Sequence, residues 1–300
     1  MHKPMFIKIS FVLLLIVSSC FVQAQLTCTN DAPASLRTTN KTLLAKLDTA
    51  RKQYLQDSTN ADKLIWLGRR LAYVGRYQEA IAVFTKGIER FPKDARMLRH
   101  RGHRYLSLRC IDKAIADFEA AAKLVKGKPD EVEPDGLPNA QNIPTSTLQT
   151  NIYYHLGLAH YLQKNYAAAE KAYQQCLKLS KNPDMYVATA YWQYLTLRHQ
   201  QKDKAAAKLL NTIKPNMPLI ENEDYYALLQ LFQQKPSIKD PADMLEQKKG
   251  LSLASYGYGL GEYCWLSGQT DFAKAVWQTV LQSSQWSAFG YLAATVALTR

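Results

Sequence analysis

Apolar residues recur at helical spacing along most of the chain from Ala61 onward, with small residues at fixed places among them. With Ala61 as position 1, Leu64, Leu67 and Leu71 fall at positions 4, 7 and 11, one face of a helix. Gly68, Ala80 and Gly87 put small residues at positions 8, 20 and 27. Phe84 puts an aromatic at 24, and Gly75, Tyr77 and Pro92 complete the unit. The pattern restarts without a gap at Ala95, with Leu98, Gly102, Tyr105, Ile111, Ala114, Phe118 and Ala121 in the same slots. A third unit from Thr150 has Tyr153, Leu156, Gly157, His160, Tyr166, Ala169, Tyr173 and Cys176, and Pro183 closes it. Each unit predicts two helices: the small residues let them approach closely, and the large ones fill the space between.

A looser unit follows from Asp184, with a long first helix over 186–198 and a second over 203–213 that turns Ala206 and Leu210 inward. The pattern returns at Ala254 with Leu260, Gly261, Gly268, Ala273, Trp277 and Val280. Residues 286–298 then read as a terminal helix covering the end of a stack. Before the first unit, Leu43, Leu44, Leu47, Tyr54 and Leu55 space a helix over 41–56. Pro129, Pro134, Pro138 and Pro144 make the stretch after the second unit a long loop, with Ser146 or Thr147 as the N-cap of the next helix. The organisation is therefore a leader at 1–24, an N-terminal segment and cap at 25–60, and two units at 61–125. A proline loop at 126–149 leads to a third unit with a degenerate fourth at 150–214. A helical spacer at 215–253 precedes the last unit and its cap at 254–300.

The 34-residue period and the order of large, small and aromatic slots resemble the tetratricopeptide repeat (TPR). The resemblance implies an all-α fold, a TPR α-solenoid in which helix–turn–helix units stack into a right-handed superhelix between helical caps. Export signal, tandem repeats, helical spacer and one late repeat form a layout similar to NlpI-type periplasmic TPR lipoproteins. That similarity implies a dimeric adaptor that brings envelope enzymes to their substrates.

The first residues place the chain outside the cytoplasm. Lys3 and Lys8 precede an apolar run over 11–17, and Val22-Gln23-Ala24 offers small residues for cleavage before Gln25. Val17-Ser18-Ser19-Cys20 also resembles a lipobox, so a second reading has Cys20 lipidated as the mature N-terminus and the protein anchored to a membrane. Periplasmic or secreted localisation is the first expectation. No stretch is long enough for a transmembrane helix.

Composition narrows the class further. With 47% hydrophobic and 21% charged residues the chain is no disordered tail, and five Cys in 300 residues make no disulfide scaffold. The formal charge is +13, and loss of two lysines and no acid with the leader leaves +11. For an exported protein this excess points to an acidic protein face or an anionic envelope component rather than to nucleic acid.

Reactive chemistry is hard to find. There is no His-Glu-x-x-His, Gly-x-Ser-x-Gly, P-loop or Cys-x-x-Cys, so no catalysis, cofactor or metal is expected. Gly257, Gly259 and Gly261 follow no strand and read as close helix packing rather than a nucleotide loop. Cys176 and Cys264 occupy core slots and Cys110 lies at position 16; burial as small apolar residues is the first reading of all three, with a disulfide or metal role as the alternative, while the state of Cys28 stays open. His160 at position 11 reads as a core residue.

One stretch stands apart. Between Arg96 and Arg109 lie five Arg, two His and no acid. Arg96, Arg99, His100 and His103 share a helical face at repeat positions 2, 5, 6 and 9, which in TPR proteins line the concave groove. Arg69 holds position 9 of the preceding unit, and Asn151 and His155 hold positions 2 and 6 of the following one. The expectation is a basic groove that binds a protein or peptide with an acidic face, gripped by planar donors. An anionic envelope polymer or small anionic ligand at the same groove is the alternative. Ordinary solvated charge is the plainer account of any single member. Metal binding by His100, His103 and His155 is disfavoured by the arginines beside them. The TPR carboxylate clamp does not transfer, because Ile65 and Arg69 stand where its first Lys and Asn belong. Arg101, Arg104 and Arg109 are expected off the groove face, with Arg101 buried and paired to Asp117 or Glu119.

Overall fold

The computed structural model describes residues 26–134 and 136–300. The leader and Cys20 lie outside the described residues. Among these there are fourteen α-helices and no strand. They run α1 (Lys41–Gln56), α2 (Ala61–Tyr73), α3 (Tyr77–Arg90), α4 (Ala95–Ser107), α5 (Ile111–Val125), α6 (Leu148–Leu162) and α7 (Tyr166–Leu179). Then follow α8 (Pro183–His199), α9 (Asp203–Leu210), α10 (Glu223–Gln234), α11 (Pro241–Leu245), α12 (Gly250–Leu266), α13 (Thr270–Leu281) and α14 (Phe289–Ala297).

Side chains start half of these helices where backbone N–H groups would otherwise lack partners. Asn40, Asn60, Asp94, Asn165 and Asn182 each accept from an N–H of the first turn. Thr147 caps α6 and forms a reciprocal box with Thr150. The turns inside the helix pairs share one device. Gly75, Arg109, Lys164, Gln201 and Gly268 all adopt φ between 58° and 81°, so the chain reverses through one left-handed residue in every repeat. Only two of the five are glycine, the residue that adopts this conformation at no steric cost.

Consecutive helices pack in pairs, α2 on α3, α4 on α5, α6 on α7, α8 on α9 and α12 on α13; the first four pairs pack each on the next, and α10 packs on both α8 and α12. A glycine under an aromatic ring sets the closest approach. A Cβ on Gly68 would lie 2.5 Å from the Phe84 ring, and one on Gly157 would lie 2.5 Å from that of Tyr173. Gly261 sits in the same way under Trp277, and Gly257 and Gly259 lie against Val280 and Leu228. All three belong to α12 and serve packing. Arg101, at an apolar slot, donates from Nε and Nη2 to Asp117 at 2.8 and 2.7 Å and from Nη1 to Thr85 at 3.0 Å.

The solenoid closes on itself. Helix α14 packs on α6 as well as on α12 and α13. Just before it, Ser287 Oγ accepts from the Tyr77 hydroxyl at 3.2 Å, and the Trp286 carbonyl accepts from Arg109 at 2.9 Å. The Arg109 guanidinium stacks 3.5 Å from the centre of the Trp286 ring. Trp286 was expected inside the terminal helix, but it lies in the turn before it, where it can meet the second repeat.

Three further sequence expectations need correction. Cys110 is buried, yet it is bonded to Cys28, which ties the N-terminal segment to the turn of the second repeat. The Thr29 N–H donates to the Leu108 carbonyl beside it at 2.9 Å. His160 is only partly buried, and the neighbouring Tyr161 takes the interior place with its hydroxyl 2.6 Å from that of Tyr258. Arg104 is the third, described with the cavity below. Cys176 and Cys264 are buried, and desolvation pushes their thiols up to about 12 and about 11, which makes them inert packing residues.

Candidate functional site

Helix α4 carries most of the basic residues, and its turns sort them onto different surfaces. Arg96, in the first turn, points outward and pairs with Asp94 at 2.6 Å and Asp62 at 2.7 Å. It does not reach the other members. One turn later Arg99 and His100 are buried, and with His103 and Arg104 they line a cavity of about 170 Å³. Arg69 and Tyr73 of α2, Phe84 of α3 and Asn151 of α6 complete its inner wall. The outer wall is the loop between α5 and α6, through Glu133, Pro134, Pro144, Thr145 and Ser146, together with Glu221. Of the seven basic-groove residues anticipated, five therefore share one cavity, and Arg96 and His155 lie outside it.

His155 is turned into the core. Its Nδ1–H donates to the Asn151 carbonyl at 2.6 Å, and its ring meets Phe118, Tyr154, His103 and Phe289. Phe289, from the far end of the solenoid, also packs on His103. The closure of the fold thus fills the part of the concave face that His155 would otherwise line.

Arg104 was expected off this face, and it is a cavity residue. Four positions after His100 on the same helix, it follows the turn that puts both on one side. Its guanidinium lies 5.3 Å from the Tyr77 ring centre, and among the described residues it makes no hydrogen bond or ion pair. Arg69 stacks 4.5 Å from the Trp66 ring centre and donates to the Tyr73 hydroxyl at 3.3 Å. Arg99 Nε lies 2.9 Å from Glu133 Oε2, and its Nη1 donates to His100 Nδ1 at 3.1 Å, which leaves the imidazole proton on Nε2. Asn151 Nδ2 donates to the same Glu133 oxygen at 3.2 Å and to Ser146 Oγ at 2.9 Å.

The electrostatics follow from burial. Desolvation, reinforced by the neighbouring arginines, pushes His100, His103 and His155 well below the usual histidine range, so all three are neutral near pH 7. Desolvation also lowers Arg99 and Arg104. The positive charge of the cavity therefore rests on Arg69, Arg99 and Arg104, opposed by the carboxylates of Glu133 and Glu221. Three planar donors around so small a space suit an oxyanion. No group of three or more His, Cys, Asp or Glu among the described residues is placed to hold a metal ion.

Sequence spacing missed three contributors: Arg104, Glu133 and Glu221. The first had a signal in its four-residue offset from His100. The two acids reach the cavity through long-range folding, which no local pattern encodes.

Two family models, each described as tetratricopeptide repeat, match residues 67–131 and 150–183. No curated protein matches the chain. Among solved structures, the chain is similar to a tetratricopeptide repeat protein from Parabacteroides merdae ATCC 43184, with 14% identity and a TM-score of 0.50. The match covers 86% of this chain and 92% of that one. It is also similar to YrrB, described as a TPR protein with an unusual peptide-binding site, with 14% identity and a TM-score of 0.44. That match covers 80% of this chain and 96% of that one.

Proposed function

The chain belongs to the tetratricopeptide-repeat superfamily, and from that premise we propose that it is an exported, non-catalytic scaffold whose basic cavity takes an acidic segment of a protein partner. Tandem repeats of this kind build protein-interaction scaffolds, with extended concave surfaces on which partners dock. The observation that carries the finer reading is the convergence of Arg69, Arg99 and Arg104 on one cavity whose histidines are neutral. Guanidinium groups in a partly dry site attract carboxylates more strongly than they would in water.

Export is supported by the leader sequence and by the Cys28–Cys110 disulfide, a bond that persists in oxidising compartments. Cleavage before Gln25 is the first reading, with anchoring through Cys20 as its alternative, and a dimeric adaptor role belongs to the same proposal.

A second reading, a small anionic ligand, is favoured by the cavity's size of about 170 Å³, which fits a group of a few heavy atoms better than a length of polymer. Affinity capture from envelope extract separates the two, with the wild type beside an Arg69→Ala/Arg104→Ala variant of equal circular dichroism. A protein retained by wild type, lost from the variant and released by salt supports the scaffold. Identical capture by both removes the cavity from consideration as the docking site.

A further inference from the structure

The loop between α5 and α6 has the chemistry of a ligand more than that of a linker. Its Glu133 side chain is 10% exposed and is held by Arg99 and Asn151, with His100 Nε2 3.8 Å away. The two limbs of the loop pair like strands where they cross the groove. The Glu133 N–H donates to the Ser146 carbonyl at 3.3 Å, and the Leu148 N–H donates to the Glu131 carbonyl at 2.8 Å, on either side of a Val132–Thr147 bridge. An extended, acid-bearing segment thus already lies in the basic groove.

What holds it there is polar. Arg70 donates to the Gly136 carbonyl at 2.8 Å, Asn182 donates to the Thr145 carbonyl at 2.9 Å, and the Thr145 hydroxyl bonds Glu221. The apolar side chains of the loop are turned away from the core, with Val132, Leu137 and Ile143 exposed by 64%, 52% and 49%. The burial that fixes the helices therefore contributes little here. The remaining hydrogen bonds are each worth about 1 kcal/mol net, because water or another peptide can replace them.

We propose that this loop is a built-in competitor, in which Glu133 stands where the carboxylate of a partner's extended acidic segment binds, so that the partner engages the groove by displacing the loop limbs at 131–134 and 143–146. The proposal rests on the basic groove being a partner site. It adds that the chain regulates access to that site. A tethered ligand acts at an effective concentration on the order of millimolar, so it masks weaker external ligands and yields to a partner with additional contacts.

The test uses the full chain and a fluorescently labelled peptide with the sequence of residues 129–134, followed by anisotropy. Glu133→Gln is expected to bind the peptide about tenfold more tightly than wild type or better, as removal of a tethered competitor requires. Adding Arg99→Ala to that variant is expected to abolish binding. In wild type, saturating peptide is expected to speed hydrogen exchange at the Glu133 and Leu148 amides, a readout that does not depend on the stability of any variant. If wild type and Glu133→Gln bind equally and Arg99→Ala removes binding from both, the competitor idea is overturned while the groove remains an acid-binding site. If neither protein binds the peptide and the loop amides are unaffected, both readings fall and the loop is a fixed part of the fold.

Discussion

Arg99 Nε and Glu133 Oε2 stand 2.9 Å apart at the centre of the concave face, with side chains only 8% and 10% exposed. One comes from α4 and the other from the loop that follows α5, so the pair fastens that loop to the second repeat. Removing one member of a buried pair leaves an uncompensated charge, which costs more than the pair itself contributes. Arg99→Ala is expected to lose about 3 kcal/mol in urea unfolding, and Arg99→Ala/Glu133→Gln to recover most of it. A single variant as stable as wild type would show that the cavity is wet enough to solvate the carboxylate.

Acid should weaken the fold well before the buried carboxylates titrate. His100, His103 and His155 hold depressed pKa values, chiefly through burial. In the unfolded chain each takes up a proton near pH 6.5, while in the folded chain it does so only at lower pH. Below 6.5 the unfolded state therefore binds more protons, and stability falls as pH drops, by as much as about 1.4 kcal/mol per pH unit for each histidine. Glu262 does not share this window. Burial alone would raise its carboxyl, but Arg300 and His199 outweigh that and hold it at about 2, so its contribution begins to fade only below its unfolded value of 4.5. Calorimetry between pH 7.5 and 5 is expected to show a Tm that is nearly level above about pH 6.5 and falls below it, and a profile flat throughout would mean that the histidines are solvated.

The repeats were legible in the sequence because they are local. Gly68 beneath Phe84 and Gly157 beneath Tyr173 are fixed by spacing within one unit, and the Arg101–Asp117 pair follows from a charge at an apolar slot. Which residues share the groove face was legible from position alone for Arg69, Arg99, His100, His103 and Asn151. What covers that face was not. Glu133, Glu221 and Phe289 arrive there from a proline loop, the spacer and the far end of the chain, by contacts that leave no periodic trace. The Cys28–Cys110 pairing was hidden for the same reason, since position 16 favours burial and no spacing links Cys110 to Cys28.

That disulfide closes a loop of 82 residues around the first repeat. Cross-linking so long a segment restricts the unfolded chain, and its loss is expected to cost on the order of 2–4 kcal/mol. Cys28→Ser should unfold at lower urea than the oxidised wild type and should match the wild type measured with reductant. Stability unaffected by reductant would mean that the N-terminal segment is held by other contacts, such as that between Thr29 and Leu108.

Arg109 combines two roles that a pair of substitutions can separate. Its backbone adopts φ of 63° at the turn position where two other repeats have glycine, and its side chain stacks on Trp286 and donates to that residue's carbonyl. A non-glycine residue in this conformation costs about 1 kcal/mol, which glycine would return. Gln201 provides the control, because it occupies the same turn position with φ of 58° and an exposed side chain. Gln201→Gly is therefore expected to raise stability by about 1 kcal/mol with no change elsewhere. Arg109→Gly gains the same backbone relief and loses the cation–π contact and hydrogen bond that close the solenoid, each worth about 1 kcal/mol. Its global stability is expected to stay level or fall slightly, while hydrogen exchange through residues 286–292 accelerates. If exchange there is unchanged in Arg109→Gly, the closure depends instead on the packing of α14 against α6, and Phe289 rather than Arg109 is the residue that seals the concave face.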